Sequence, residues 1–454
     1  MSQLLQATLT EGSVSKHLQS MAMPMVWGLL ATMSFNAIDT FFVAQLGDLE
    51  LAAMSFTFPV VMLLTSVAIG LGAGTSSAVA RAVGAGDHGL ARRLATDSIT
   101  LTALISVWVS LLGWLTIDPV FTLLGAEPAL LIYIREYMEV WYLSAPFLMV
   151  PMVTLASLRA MGLSSVQGYL MGIAAVVNGV LDPLLIFGLY GFPRLELQGA
   201  ALATLLTRAM TLVVAFYILN NKLHMLINPL VEWKTLRRSW AMIFSVGIPA
   251  IFTNIVIPLS SAVVVILVAQ HGTSAVAGLG VALRIEPLAL IVFYALSGVV
   301  GPFFGQNLGA DKYERLHDAL RVITRFNLLF GLLLAVLLWL FTPFIAGLFS
   351  DSLEVQVIAT HYMALVPVSY GAYGLVMSVN AAFNGMGRPA PPMMISFLRV
   401  LGLYLPLAWI GQSFWGLDGL FGASCLANLA LGLFAYRWLK SHLDRLEPEG
   451  EVEM

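Results

Sequence analysis

Charge is scarce in this sequence. Asp, Glu, Lys and Arg make up 10% of its 454 residues, against about 25% in a soluble domain. With 59% hydrophobic residues and a mean hydropathy of +0.89, the chain lacks the polar surface to enclose itself in water. That excludes a soluble globular enzyme, and the same apolar content excludes disorder. Cysteine is nearly absent. Cys425 alone cannot form an internal disulfide, and in the apolar run 421–431 it reads as a small packing residue. A net charge of −3 leaves no basic excess for nucleic acid. No Walker A pattern (GxxxxGKS/T) occurs, which argues against ATP hydrolysis by this chain. The histidines lack metal-ligand spacing and no Ser/His/Asp set stands out, so neither a metal site nor an enzyme is expected. Residues 1–16 show no short apolar region with a cleavage site, so the first hydrophobic run is expected to be a retained span.

Long apolar runs are what the sequence does have. About 20 apolar residues cross a bilayer. Runs of that kind fall near 18–45, 51–79, 94–117, 129–158, 165–190, 198–220, 239–269, 275–304, 322–345, 355–383, 391–413 and 417–439. Their continuity fits helices rather than the short alternating strands of a membrane barrel. The expected fold is an all-α polytopic membrane protein of twelve transmembrane helices. Lys and Arg crowd one side of this topology, from Lys16, Arg92 and Arg93 to Arg388 and Lys440, while the other has little beyond Arg135 and Arg194. Both termini are therefore expected in the cytoplasm.

The two halves repeat. Val43-Ala44-Gln45 recurs as Val268-Ala269-Gln270, Gly84-Ala85 as Gly309-Ala310, Tyr137-Met138 as Tyr362-Met363 and Met161-Gly162 as Met386-Gly387, all at one constant offset. Gly199 matches Gly419 at a slightly smaller one. Six spans return the chain to its starting side, so the repeats are parallel, a plan common among secondary transporters. The expected organisation is a six-helix bundle over 1–220, a cytoplasmic linker over 221–238, a second bundle over 239–443 and an acidic, disordered tail over 444–454. An ion gradient is the expected energy source.

A charge at mid-bilayer costs at least about 2.5–3.5 kcal/mol, so each one inside a span is a functional hypothesis. Asp39 lies in span 1 with Asn36 on the same face; Asn178 and Asp182 share a face of span 5. Such acids suit a proton, or a small cation when ionised; the alternative is a structural polar cluster tying helices together. Arg284 and Glu286 in span 8 are two apart and face different ways. Arg208 and Arg399 also lie within spans, and either snorkel or line a cavity. Asp97 reads as interfacial. Pro24 makes span 1 a candidate for bending, and Tyr142 and Tyr373 are candidate cavity aromatics.

These features resemble the multidrug and toxic compound extrusion (MATE) family over nearly the whole chain. The stretch from Asp39 to Gly47, the turns at Gly84 and Gly309 and the Met-Gly turns at 161–162 and 386–387 carry the resemblance. Within the family the chain looks most like the DinF branch, which has an aspartate in the first helix and an Asn-x-x-x-Asp pair in the fifth. The resemblance implies an ion-coupling cluster of Asp39, Asn178, Asp182 and Thr204, a hinge at Pro24, and a substrate cavity drawing on Asn36, Tyr142, Arg284, Glu286 and Tyr373. Other branches place a key acid in the seventh helix, where this sequence has none. A V-shaped pair of bundles is implied, working as a monomer in a bacterial inner membrane. It would export cationic or amphiphilic small molecules in exchange for protons, or for Na+, with no cofactor. Two rivals stay open: a lipid-linked sugar flippase of the same superfamily, which would want a basic cavity, and a non-transporting receptor or scaffold.

Overall fold

The computed structural model describes residues 7–446, and these are helical apart from short turns, with no strand among them. Contacts gather them into two compact units: residues 7 and 23–251, and residues 8–22 with 252–446. The expected acidic tail falls, from residue 447 on, outside the described residues.

The first unit takes most of α1 (Val14–Ala44), then α2 (Asp48–Gly84), α3 (His88–Leu115), the short α4 (Ile117–Leu123), α5 (Pro128–Leu143), α6 (Ala145–Ala160), α7 (Ser164–Phe187), α8 (Glu196–Tyr217) and the start of α9 (Trp233–Ala269). The second holds the rest of α9, α10 (Thr273–Ala289), α11 (Ile291–Gly309), α12 (Tyr313–Phe349), α13 (Leu353–Leu365), α14 (Tyr370–Gly385), α15 (Ala390–Phe397) and α16 (Leu405–Asp444). The glycine-containing separators do stop helices: at the 84–87 turn, Gly86 has φ +71° and the Asp87 carboxylate caps α3 by accepting from the Leu90 N–H at 2.9 Å.

Among the described residues, ten helical stretches are long and apolar enough to cross a membrane, and the α5–α6 pair, bent by 42°, makes eleven. The last stretch runs 55 residues, from Ala390 to Asp444. At 1.5 Å per residue that is about 80 Å, more than twice the hydrocarbon thickness. Gly416, at φ +57° and ψ −132°, folds it back on itself, so the spans number twelve. The arms are then so close that a Cβ on Gly411 would lie 2.6 Å from the Gly419 carbonyl oxygen. Along α12, Leu329, Leu332, Trp339 and Phe344 are all exposed, an apolar face suited to lipid.

Three spans are broken near proline, which removes a backbone donor. The breaks are Ser144, beside Pro146; Leu290, after Pro287; and the 3-10 turn Val366–Ser369, with Pro367. Ser144 stands to Ser369 as Gly84 stands to Gly309, so the same break recurs in each repeat.

The linker is pinned down. Helix α8 continues as a π turn over Ile218–Lys222, and α9 begins at Trp233. Between them the Ile227 N–H donates to Thr96 Oγ1 (3.1 Å) and Arg93 donates to the Asn228 carbonyl (2.9 Å). Arg93 Nε also donates to Asp97 Oδ2 at 2.7 Å, and this partner lets the Asp97 carboxylate be fully buried in the protein beside the linker. At the other end of the chain, Leu9 and Gly12 are held in the second unit. Arg315 donates to the Leu9 carbonyl at 2.9 Å and to the Gly12 carbonyl at 2.6 Å, while the Leu9 N–H donates to Gln306 Oε1 at 3.1 Å.

Candidate functional site: a polar centre in each repeat

In the first unit the structure brings Asp39 of α1 to Asn178 and Asp182 of α7 and Thr204 of α8. All four are buried. Asn178 and Asp182 lie one turn apart, as their spacing requires. With the amide nitrogen turned to the carboxylate, Asn178 donates to Asp182 Oδ2 at 2.8 Å, and its oxygen accepts from the Thr204 backbone N–H at 3.2 Å. Thr204 therefore meets the cluster through its backbone. Asp39 Oδ1 is buried and has no hydrogen-bond partner. Buried polar atoms are rarely left so. An acid whose oxygen lacks a donor is suited to carry its own proton.

Two residues outside the expected set complete this centre. Tyr137 of α5 and Arg208 of α8 lie close enough to interact electrostatically with Asp39, and Tyr137 with Asp182 as well. Arg208 donates to Ser144 Oγ at 3.1 Å, at the α5–α6 break, and its guanidinium stacks on Trp141. Asn36 is exposed, and its side chain joins no hydrogen bond among the described residues. Tyr142 is buried in the α3–α5 packing, where its ring fills the space left by Gly113, rather than in the acid cluster.

Pro24 lies inside an unbroken α1, two residues after the helix passes from one unit to the other. Here α1 rests on α7 backbone to backbone: a Cβ on Gly168 would stand 2.1 Å from the Pro24 carbonyl oxygen. Helix α7 thus touches α1 at Pro24 and carries Asn178 and Asp182 further along its length.

The second unit has a cavity of about 340 Å³. Glu286, Tyr294, Tyr362, Tyr373, Arg399 and Tyr404 are among its lining residues. The Tyr362 hydroxyl donates to Glu286 Oε2 at 2.7 Å, and the Arg399 guanidinium lies 4.6 Å from the centre of the Tyr373 ring. Arg284 is exposed and does not line this cavity, as its spacing from Glu286 requires. The arginines and tyrosines of both centres were the harder part to foresee, yet the repeat pointed to two of them. Tyr137 and Tyr362, equivalent in the repeat, each face the acid of their own half.

The MatE family profile matches residues 24–184 and again 249–410, two copies whose starts are offset as Gly84 is from Gly309. The chain is 38% identical to an FAD transporter of Shewanella oneidensis over 94% of its own length and 95% of that protein's. It is 28% identical to the probable multidrug resistance protein YoeA of Bacillus subtilis, over 88% and 89%. Among solved structures it is similar to the Vibrio cholerae MATE transporter VcmN in the bent form, with a TM-score of 0.90, 30% identity, and 95% and 97% of the two chains covered. Duplicated six-span bundles and a twice-matched profile lead to one statement: the chain belongs to the MatE family of multi-pass membrane transporters, and it is a transporter rather than an enzyme.

Proposed function

We propose that this protein is a secondary antiporter that exports amphiphilic or cationic organic compounds in exchange for protons taken up at the Asp39–Asp182 centre. The observation that carries this reading is the buried Asp39 oxygen with no partner, beside a second buried acid and a single arginine. In the state open to the outside, a proton neutralises this pair. Repulsion between the acids is relieved, and α1 repacks against α7 where Gly168 meets Pro24. That change expels the substrate. One proton per pH unit supplies about 1.4 kcal/mol, enough for about a tenfold concentration ratio. Each 100 mV of membrane potential adds about 2.3 kcal/mol per charge moved. Both termini lie in the cytoplasm of a bacterial inner membrane, as the Lys and Arg distribution favours, and the monomer, holding both repeats, is the working unit. Na+ is the alternative coupling ion.

The test is efflux of ethidium from proteoliposomes under a pH gradient and a sodium gradient imposed separately. The pH gradient alone is expected to drive it. Flux under sodium alone changes the ion, and flux under neither overturns the reading. A flavin nucleotide is a second substrate class, favoured by the 38% identity to the FAD transporter.

A further inference from the structure

The two repeats place their in-span charges differently. Arg208 corresponds to Asn428 by the shift that relates Gly199 to Gly419. Each donates to the serine at its own helix break: Arg208 to Ser144 Oγ at 3.1 Å, Asn428 to Ser369 Oγ at 3.0 Å. The sixth span of the first repeat therefore holds a cation where the twelfth holds a neutral amide. On the fifth span the assignment reverses. The fifth span carries Asp182 and no Lys or Arg, while its counterpart, the eleventh, carries Arg399 and no acid.

Arg399 lies close enough to interact electrostatically with Glu286 but does not touch it. Among the described residues its guanidinium joins no hydrogen bond or ion pair. Its guanidinium lies over the Tyr373 ring, a contact that occupies none of its five N–H donors. Glu286 lines the same cavity but is held by the Tyr362 hydroxyl rather than by Arg399. The hydroxyls of Tyr294, Tyr373 and Tyr404 are likewise without a partner among the described residues, and their rings make the walls. At about 340 Å³ the cavity is at the small end of ligand sites, which run from about 300 to 1,000 Å³. It has room for one ring system and one acidic group.

We propose that this second-repeat cavity is an anion subsite, in which Arg399 binds the phosphate or carboxylate of a planar aromatic compound whose ring lies among Tyr294, Tyr373 and Tyr404. A planar guanidinium matches such an oxyanion bidentately. The role of the subsite in export rests on the transport reading above; its binding chemistry does not.

The purified full-length protein is titrated in detergent, without any gradient, with riboflavin 5′-phosphate and with riboflavin, which differ only in the phosphate. The phosphorylated probe is expected to bind about ten- to a hundredfold more tightly. Arg399→Gln, checked for an unchanged melting temperature, is expected to bring the two affinities together. If that variant does not fold, Arg399→Lys keeps the charge but not the fork, and the preference is expected to shrink. Equal binding of the two probes, binding of neither, or a preference unchanged in the folded variant overturns the subsite. Phosphate-selective binding by a protein that exports nothing contradicts the transport reading alone; gradient-driven export without phosphate selectivity contradicts the subsite alone.

Discussion

Replacing Asp39 with asparagine is expected to abolish proton-driven export and leave the protein folded. Asparagine keeps the size and polarity of the side chain but cannot exchange a proton. The drive of about tenfold substrate ratio per pH unit is then lost, and the ratio falls to about one. Folding should tolerate the change, because Asp39 Oδ1 has no hydrogen bond to lose. A buried acid without a donor is a cost that neutral asparagine lowers. Efflux from proteoliposomes under a pH gradient measures the first effect, and thermal unfolding of the solubilised protein measures the second. Wild-type efflux in the variant would remove Asp39 from the coupling path; a collapse in stability would make it a structural residue.

The largest stability effect is expected at Arg93. Its guanidinium is shared between the buried Asp97 carboxylate and the linker carbonyl of Asn228, and the Trp240 indole N–H donates to the Asp97 backbone oxygen at 3.3 Å. Arg93 therefore ties the linker to α3, beside the point where α9 meets the Asp97 backbone. Arg93→Ala leaves Asp97 buried without a partner, a loss of about 3–5 kcal/mol for a broken buried pair. Arg93→Leu with Asp97→Leu removes both charges and is expected to recover most of that loss. Melting of the three proteins in one detergent checks the order. If the single variant melts with the wild type, the pair contributes nothing to stability. If the double variant melts as low as the single, the loss comes from the linker contact.

Most of the architecture could be read from the sequence, because apolar runs of bilayer length have few alternative fates. The twelve spans, the turns at Gly84–Asp87 and the whole-length repeat are of this kind. Helix breaks were harder. Proline marks Ser144, Leu290 and Val366–Ser369, but Pro24 and Pro183 sit in helices that continue through them. Which outcome a proline produces depends on whether neighbours satisfy the freed carbonyl, and that is a tertiary fact. Helical spacing made Asn178 and Asp182 a pair and set Arg284 apart from Glu286. It could not show that Asn36 is exposed while Asp39 is buried, because the buried arc of α1 depends on its packing against neighbouring helices. Nor could spacing show that Tyr142 packs against α3 while Tyr137 reaches the acids. Arg208 and Arg399 were visible as charges within spans, but their aromatic stacking partners come from other helices.

The account stands or falls on whether substrate and proton are exchanged at Asp39 and Asp182. The most direct measurement is proton release on substrate binding. The purified protein is placed in weakly buffered solution with a pH-sensitive dye, and ethidium is added. Wild type is expected to release protons as the substrate binds, and Asp39→Asn to release few or none. Binding without proton release in the wild type, or equal release from the variant, would contradict the account.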